Sequence, residues 1–142
     1  MGEKTDASTL ANDLNTALPL LARDALAAAL AAGTIPGPQG VALEERLRDI
    51  AVAETQDLQR LAARIASLGG TAKVTVKPMQ PPADWRKTVD WLVGMQREAL
   101  DAVVEAIPAD ADDAEGEATE HLLEHMVARK REAIELLERA LR

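Results

Sequence analysis

The chain has 142 residues, a formal net charge of −8 and only 1% aromatic residues, two Trp with no Phe or Tyr. A core with so few aromatic side chains must be built from Leu, Ala, Val and Ile, which favours close-packed helices over a sheet. The acidic balance argues against binding to a phosphate backbone or an anionic membrane surface, since both need clustered Lys and Arg. The absence of Cys excludes disulfides, thiolate catalysis and Cys-based zinc sites.

The N-terminal region lacks the apolar stretch that a signal peptide needs. The Ala- and Leu-rich run from Leu18 to Ala32 contains Arg23 and Asp24, and it is too short to cross a bilayer. We therefore expect a cytoplasmic protein that binds neither nucleic acid nor membranes.

The first segments in chain order are a polar tail and a long helix. Residues 1–7 are mostly polar and predict a short tail before a single domain over residues 8–142. The first helix is predicted from about residue 8 to residue 32, with Ser8 or Asp6 as its N-cap. Pro19 falls inside this helix and predicts a kink, because its ring removes a backbone hydrogen bond.

A second helix and an extended segment follow. The Gly- and Pro-rich residues 33–40 predict a turn, and residues 41–68 predict a helix that ends at Gly69-Gly70, a left-handed C-cap. Residues 71–83 contain three prolines and predict an extended crossover strap rather than a helix.

The second half of the chain predicts another helical hairpin. Asp84 caps a helix that runs to residue 107, residues 108–113 predict an acidic turn, and residues 114–141 predict the fourth helix. A strap of about a dozen residues can reach ~40 Å, the length of a helix in this chain. The prediction is an all-α protein, with two antiparallel hairpins joined by one long crossover, which is the ferritin-like arrangement.

Four polar residues interrupt the apolar stripes of the predicted helices: Glu54, Asp57, Gln96 and Lys130. Each lies near the middle of its own helix, so we expect the four to meet at one level of the bundle core. A buried charge is costly unless it is paired or bound to a metal. This level is therefore the candidate site of the protein.

These features resemble the bacterioferritin and ferritin-like superfamily over nearly the whole chain. The segments that carry the resemblance are the long strap and four short motifs: Leu14-Asn15, Ala53-Glu54, Leu68-Gly69-Gly70 and Gln96-Arg97-Glu98-Ala99. The resemblance implies a four-helix bundle. In the family, a di-iron site uses a Glu from each of two helices and a Glu-x-x-His from each of the other two.

The resemblance assigns six positions to that di-iron site: Leu21, Glu54, Asp57, Gln96, Lys130 and Ala133. Glu54 keeps the family's ligand, and Asp57 puts a carboxylate in place of a His. A slip of one turn in helix 1 or helix 4 would bring other residues to the site without completing a metal cage: Asp24, Ala25, Val127 and Ile134. We therefore expect no metal, no cofactor and no catalytic residue.

Lys130 distinguishes the alternatives, because an ammonium group is repelled by metal ions and is attracted by carboxylates. The leading hypothesis is a non-enzymatic ferritin-like protein that has lost the di-iron centre and has a structural or interaction role. The competing hypothesis is a metal-binding oxidoreductase or iron-handling protein with an unusual site on Glu54 and Asp57. A third is a small-ligand carrier that uses the bundle end near Trp85.

Two further features bear on partners and metals. Helix 1 carries Leu26 and Leu30 on a second apolar face, which predicts a homodimer interface, as the resemblance also implies. His121 and His125 have the i, i+4 spacing that can chelate zinc or copper. Helical counting places them opposite Lys130, so we interpret them as a solvent-exposed pair.

Overall fold

A computed structural model of the protein describes residues 6–109 and 113–142. These residues form four helices and no strand: α1 (Ala7–Thr34), α2 (Gly37–Ser67), α3 (Trp85–Ala106) and α4 (Ala114–Ala140). The predicted all-α bundle of two hairpins with one long connection is confirmed. Most of the predicted polar tail, and residues 110–112 of the predicted acidic turn, lie outside the described residues.

Three of the helices begin at aspartate caps, which satisfy backbone N–H groups that have no partner within the helix. The side chain of Asp6 accepts a hydrogen bond from the Ser8 amide at the start of α1. Asp84 and Asp113 do the same at α3 and α4. The short polar side chains that the sequence offers before each apolar stripe therefore set where these helices start.

The connection between α1 and α2 is shorter than predicted. Only Ile35 and Pro36 separate the two helices, and α2 starts at Gly37 rather than near residue 41. Pro38 falls in the first turn of α2, where a missing N–H costs nothing. Gly40 allows the close approach, since a Cβ there would lie 2.6 Å from the Ile35 carbonyl oxygen.

The strap begins at a glycine cap and is anchored on α1. Gly69 has a φ of +84°, and the Gly70 amide donates to the Ile65 carbonyl at 2.9 Å, which is the predicted left-handed C-cap. Beyond it, the side-chain amide of Asn15 donates to the Thr71 carbonyl at 2.9 Å and accepts from the Lys73 amide at 3.0 Å. One side chain of α1 thus fixes the first residues of the strap.

The core consists of two apolar clusters. One contains the N-terminal half of α1 and the C-terminal half of α2, with Leu14 and Leu61 fully buried. The other contains the C-terminal half of α1, with Ala27 and Leu47 fully buried. α1 packs along α2 and α3, and α4 packs along α3, whereas the backbones of α2 and α4 come close at few points. The two clusters lie towards opposite ends of the bundle, and neither includes the buried residues at its middle.

By length and composition, α1 could cross a membrane. From the sequence, no membrane-spanning helix is expected, because the apolar run from Leu18 to Ala32 is too short. The helix is longer than that run, since it also includes the residues before Leu18. Core helices of soluble proteins pass the same test, and the inner face of α1 is buried in this bundle. The absence of membrane contact and the cytoplasmic location stay predictions.

Candidate functional site

A polar layer crosses the bundle between the two apolar clusters. Each helix contributes one side chain to it, and none is more than 7% exposed: Asp24 of α1, Glu54 of α2, Gln96 of α3 and Lys130 of α4. In each helix the buried residues recur every three or four positions, and the residue of the polar layer falls in that series. Residues at this spacing share one face of a helix, so all four side chains meet at the bundle axis.

The Lys130 ammonium lies at the centre of this layer. Its Nζ atom is 2.6 Å from Asp24 Oδ2, 3.2 Å from Glu54 Oε1 and 3.0 Å from Gln96 Oε1. An ammonium has three donors, and these contacts use all of them. Gln96 Nε2 also donates to Glu54 Oε1 at 2.5 Å, so the amide joins two of the helices independently of Lys130.

Arg23 closes the layer on the side of α1 and α3. Its guanidinium donates to Asp24 Oδ1 at 3.1 Å and to the Met95 carbonyl at 2.8 Å, and it lies 3.3 Å from a Glu98 carboxylate oxygen. Asp24 therefore has a cation at each oxygen. With Lys130 and Arg23 facing Asp24 and Glu54, the ionised layer carries no net charge.

Burial and charge act in opposite directions on the two buried carboxyls. Burial raises the pKa of Asp24, and the Lys130 charge opposes that rise. Burial likewise raises the pKa of Glu54. The Lys130 charge opposes that rise, and the negative charge of Asp24 reinforces it. Glu54 Oε2 is the only buried side-chain oxygen or nitrogen without a hydrogen-bond partner among residues 6–109 and 113–142.

Asp57 is buried but does not contact Lys130. Both of its oxygens are held by Arg129, with Nε at 2.8 Å and Nη2 at 2.5 Å, and Arg60 Nη1 lies 3.2 Å from Oδ1. Of the four polar residues expected at one level, Glu54, Gln96 and Lys130 therefore meet. Asp57 forms a second ion-pair group one helical turn away.

The family resemblance puts Leu21 at the α1 position of the layer, whereas the structure places Asp24 there. Leu21 lies one turn away in the first apolar cluster. The signal for Asp24 was present in the sequence, because it occupies one position of a regular buried stripe: Leu10, Leu14, Ala17, Leu21, Asp24, Ala28 and Ala31. Arg23 and Arg129 were also missed. Ala133, the last of the expected positions, is buried on α4.

A cleft opens between α2 and α4, whose backbones come close at few points. Its volume is about 290 Å³, and its lining includes Glu54 and Lys130 of the polar layer. Aliphatic side chains of both helices form its walls, and charged residues such as Arg46 and Glu132 line it as well. The polar layer is thus closed by α1 and α3 but reached by a cleft on the other side.

The two histidines are exposed on α4, as the sequence indicates. Their Nε2 atoms are 3.1 Å apart and the rings are arranged edge to face. Two imidazoles at this distance can share a proton or a metal ion. Trp85, near which the sequence suggested a ligand-binding bundle end, packs against the second apolar cluster, with the Arg86 guanidinium 4.9 Å from its ring centre.

The comparisons with known proteins agree with this architecture. The sequence profile described as the ferritin-like domain matches residues 21–142, which includes every residue of the polar layer. The chain belongs to the ferritin-like family. The predicted resemblance is therefore confirmed. No curated protein matches the chain in sequence.

Solved structures of the ferritin-like family superpose on almost the whole chain. A ferritin-like, diiron-carboxylate protein from Bacillus anthracis has a TM-score of 0.86 and 21% identity, covering 99% of this chain and 100% of that chain. The dodecameric thioferritin of Bacteroides fragilis, a bacterioferritin-related protein, has a TM-score of 0.85 and 20% identity, covering 97% of this chain and 87% of that chain. Rhodobacter capsulatus bacterioferritin has a TM-score of 0.78 and 17% identity, covering 98% of this chain and 86% of that chain.

The residues of the polar layer do not fit the di-iron centre that the ferritin-like family implies. The oxygens of Asp24, Glu54 and Gln96 converge on the Lys130 ammonium, so a cation of the protein itself takes up the contacts that these oxygens would otherwise offer to a metal ion. The described part of the chain also has no group of three or more His, Asp or Glu side chains able to hold a metal ion. Asp57 adds no ligand, because Arg129 holds both of its oxygens.

Proposed function

We propose that this ferritin-like protein has replaced the di-iron centre by an internal ion pair and has a non-enzymatic, structural or interaction role. The observation that carries the proposal is the position of Lys130 Nζ, within 3.2 Å of an oxygen from each of the other three helices. The ammonium links α4 to all three at once. A site that serves metal chemistry would need those oxygens for the metal.

Electrostatics supports this proposal. Two unit charges ~4 Å apart interact by about 4 kcal/mol at an effective dielectric of ~20, and a divalent ion doubles that figure. Iron bound beside Lys130 would be repelled by this amount before any ligand bond forms. The layer is moreover already neutral, with Lys130 and Arg23 facing two carboxylates, so it has no excess negative charge to attract a metal.

Iron titration tests this proposal. Purified protein, in a His121→Ala/His125→Ala background that removes the exposed imidazole pair, is titrated with ferrous iron under air while oxidation is followed by absorbance. We expect no stoichiometric binding and no oxidation above the buffer rate. Stoichiometric iron that is lost in a Glu54→Gln variant would contradict the proposal, because that result requires a metal at the layer.

We also propose that the chain forms a homodimer through the face of α1 that carries Leu26 and Leu30. Leu26 is 47% exposed, and covering its side chain with a partner would remove apolar surface from water. A groove between α1 and α2 is lined by small and apolar residues, including Ala29, Gly33 and Val52, and by polar residues such as Glu44 and Gln56. The Bacteroides fragilis relative is a dodecamer, so a protein of this fold does associate with itself.

Light scattering tests the dimer with a matched pair of variants. Leu26→Glu places a charge in the proposed interface, and Val104→Glu places one on α3 at a residue of nearly equal exposure, 49% against 47%. We expect Leu26→Glu to lower the molar mass to that of a monomer and Val104→Glu to leave it unchanged. A wild type that is monomeric at micromolar concentration contradicts the proposal.

A further inference from the structure

The two exposed histidines of α4 lie side by side on the surface of the bundle. His121 and His125 are one helical turn apart, and their Nε2 atoms are 3.1 Å from each other. Zinc and similar metals bind imidazole nitrogen at about 2.0–2.1 Å, so two nitrogens on one ion lie about 2.9 Å apart at a right angle and about 3.4 Å apart at the tetrahedral angle. The separation in this chain falls within that range, so one metal ion can bind both rings.

The imidazole nitrogens of this pair are available to a ligand. Among residues 6–109 and 113–142, the hydrogen bond between the two rings is the only one that either ring makes. In that hydrogen bond one Nε2 carries a proton and the other accepts it. Neutral imidazole can also carry its proton on Nδ1, and in that tautomer both Nε2 lone pairs are free. A metal can therefore bind the two neutral rings without a net loss of a proton.

The charges next to the pair favour a cation. Three carboxylates lie within one helical turn of His121 along the chain: Glu117, Glu120 and Glu124. Residues 113–128 contain no Lys or Arg. With both rings neutral, this part of α4 has an excess of negative charge, and it attracts a divalent ion before any ligand bond forms.

The cations nearest to the pair are held by other carboxylates. Arg129, one turn after His125, donates to both oxygens of Asp57 on α2. Arg64 of α2, which reaches α4 near its start, forms an ion pair with Glu115. Lys130 points into the core from the face of α4 about opposite His121. The repulsion that excludes a metal from the polar layer therefore does not extend to the histidine pair.

We propose that His121 and His125 chelate one divalent transition-metal ion through their Nε2 atoms, with water completing its coordination. The described part of the chain places no third His, Asp or Glu to join them, so water fills the other positions. Affinity for nitrogen ligands rises along the first-row metals to divalent copper, which should therefore bind most tightly, with zinc weaker. The site goes beyond the role proposed above, because it uses no residue of the polar layer.

Calorimetric titration with three metal ions at constant ionic strength tests the site. The probes are divalent copper, zinc and magnesium. We expect one copper ion per chain that is absent in a His121→Ala/His125→Ala variant, weaker binding of zinc at the same place, and no competition from an excess of magnesium, which prefers oxygen ligands. Copper binding that is unchanged in the double variant would overturn the proposal, as would magnesium that competes as well as zinc does.

A matched variant separates chelation from adventitious binding to single histidines. His125→Ala leaves one imidazole and should weaken copper binding by about tenfold or more. His125→Ala combined with Ala63→His restores the number of histidines, but it places the second one at an exposed position of α2 with no carboxylate three or four residues away. We expect this variant to bind copper no more tightly than His125→Ala does. Binding as tight as in the wild type would overturn the proposal.

Stability gives a second measurement. The unfolded chain does not hold the two rings one helical turn apart, so a chelated ion binds the folded state preferentially and stabilises it. Saturating zinc should therefore raise the urea midpoint of the wild type more than that of the His125→Ala/Ala63→His variant, which has the same number of histidines. Equal shifts in the two proteins would overturn the proposal.

The outcome is independent of the iron experiment, which uses the variant without both histidines. Stoichiometric iron in that variant overturns the non-enzymatic role and leaves the histidine site standing. Copper binding that does not depend on the two histidines overturns the site and leaves the role standing.

Discussion

Lys130 Nζ lies 2.6 Å from Asp24 Oδ2, a contact between residues 106 positions apart that joins the last helix to the first. Both side chains are almost completely buried. Charges this deep are tolerated only when they are paired and hydrogen-bonded. The stability of the bundle therefore depends on that pair and on the side chains that complete it.

The first prediction concerns the loss of the central cation. Lys130→Met should lower the free energy of unfolding by about 3–5 kcal/mol, because it leaves Asp24 and Glu54 buried without their shared partner. The triple change Asp24→Leu, Glu54→Leu, Lys130→Met removes all three charges and should cost much less than the sum of the single changes, as contacting groups do. Urea melts of each variant measure both quantities.

The matched control for this series is Arg131→Met, which removes a cation at an exposed position next to Lys130. It should change the free energy of unfolding by no more than about 0.5 kcal/mol. Small and additive effects of the layer variants, similar to that of Arg131→Met, would show that the layer does not act as one buried unit.

The second prediction concerns pH. Burial raises the pKa of Asp24 and Glu54 above their ordinary values of 3.8 and 4.5, so the folded state holds these protons more tightly than the unfolded state. Stability from these two groups is therefore present below those values, and it is lost as the pH rises from them through the raised pKa values of the folded state.

Comparison with an Asp24→Asn/Glu54→Gln variant isolates this effect. The difference in free energy of unfolding, wild type minus variant, should fall as the pH rises above about 4, since the variant has no carboxyl to titrate at these positions. Denaturant melts at half-unit steps between pH 4 and pH 8 measure it. A difference that rises with pH over this range would mean that the two carboxyls are stabilised as anions.

The third prediction separates the two ion-pair groups. Asp57 is held by Arg129 through two hydrogen bonds and has no contact with Lys130. In double-mutant cycles, Asp57→Asn with Arg129→Met should show a coupling of about 0.5–3 kcal/mol. Asp57→Asn with Lys130→Met should be close to additive. Coupling of equal size in both cycles would place Asp57 inside the central layer.

The fourth prediction concerns the anchor of the strap. Asn15→Ala removes both hydrogen bonds to the backbone of Thr71 and Lys73, and should cost about 1 kcal/mol because these groups can still bind water. Limited proteolysis within residues 71–83 should become faster. Asn12→Ala, at an exposed position one turn earlier, is the control and should change neither quantity.

The sequence predicts the fold well because the signals that carry it are local. The cap at Asp84 and the glycines at the end of α2 mark helix ends without reference to the rest of the chain. The predicted start of α2 was wrong, because Pro38 does not break the helix but lies in its first turn, where a proline is tolerated. Helical spacing also carries a signal for Asp24, which continues the buried stripe of α1, but the resemblance assigned Leu21 to the site and named Asp24 only for a slip of one turn.

The partners of the charged residues could not be predicted in the same way. Helical spacing places Lys130 on the buried stripe of α4, but it does not show that the neighbouring Arg129 side chain reaches Asp57 on another helix. A long side chain can meet any of several carboxylates within its reach. The cleft likewise depends on the distance between α2 and α4, which no local pattern encodes.

The polar layer also affects the register of the helices, that is, their positions relative to one another along the bundle axis. Helices faced with Leu and Ala can slide past one another by a turn, about 5.4 Å, and still find apolar neighbours. In this chain a slide of α4 by one turn would move Lys130 into an apolar cluster, and it would leave Glu54 without a cation and Asp24 with Arg23 alone. The four side chains therefore fix the register of the helices, because one position of α4 along the bundle axis is far more favourable than the next.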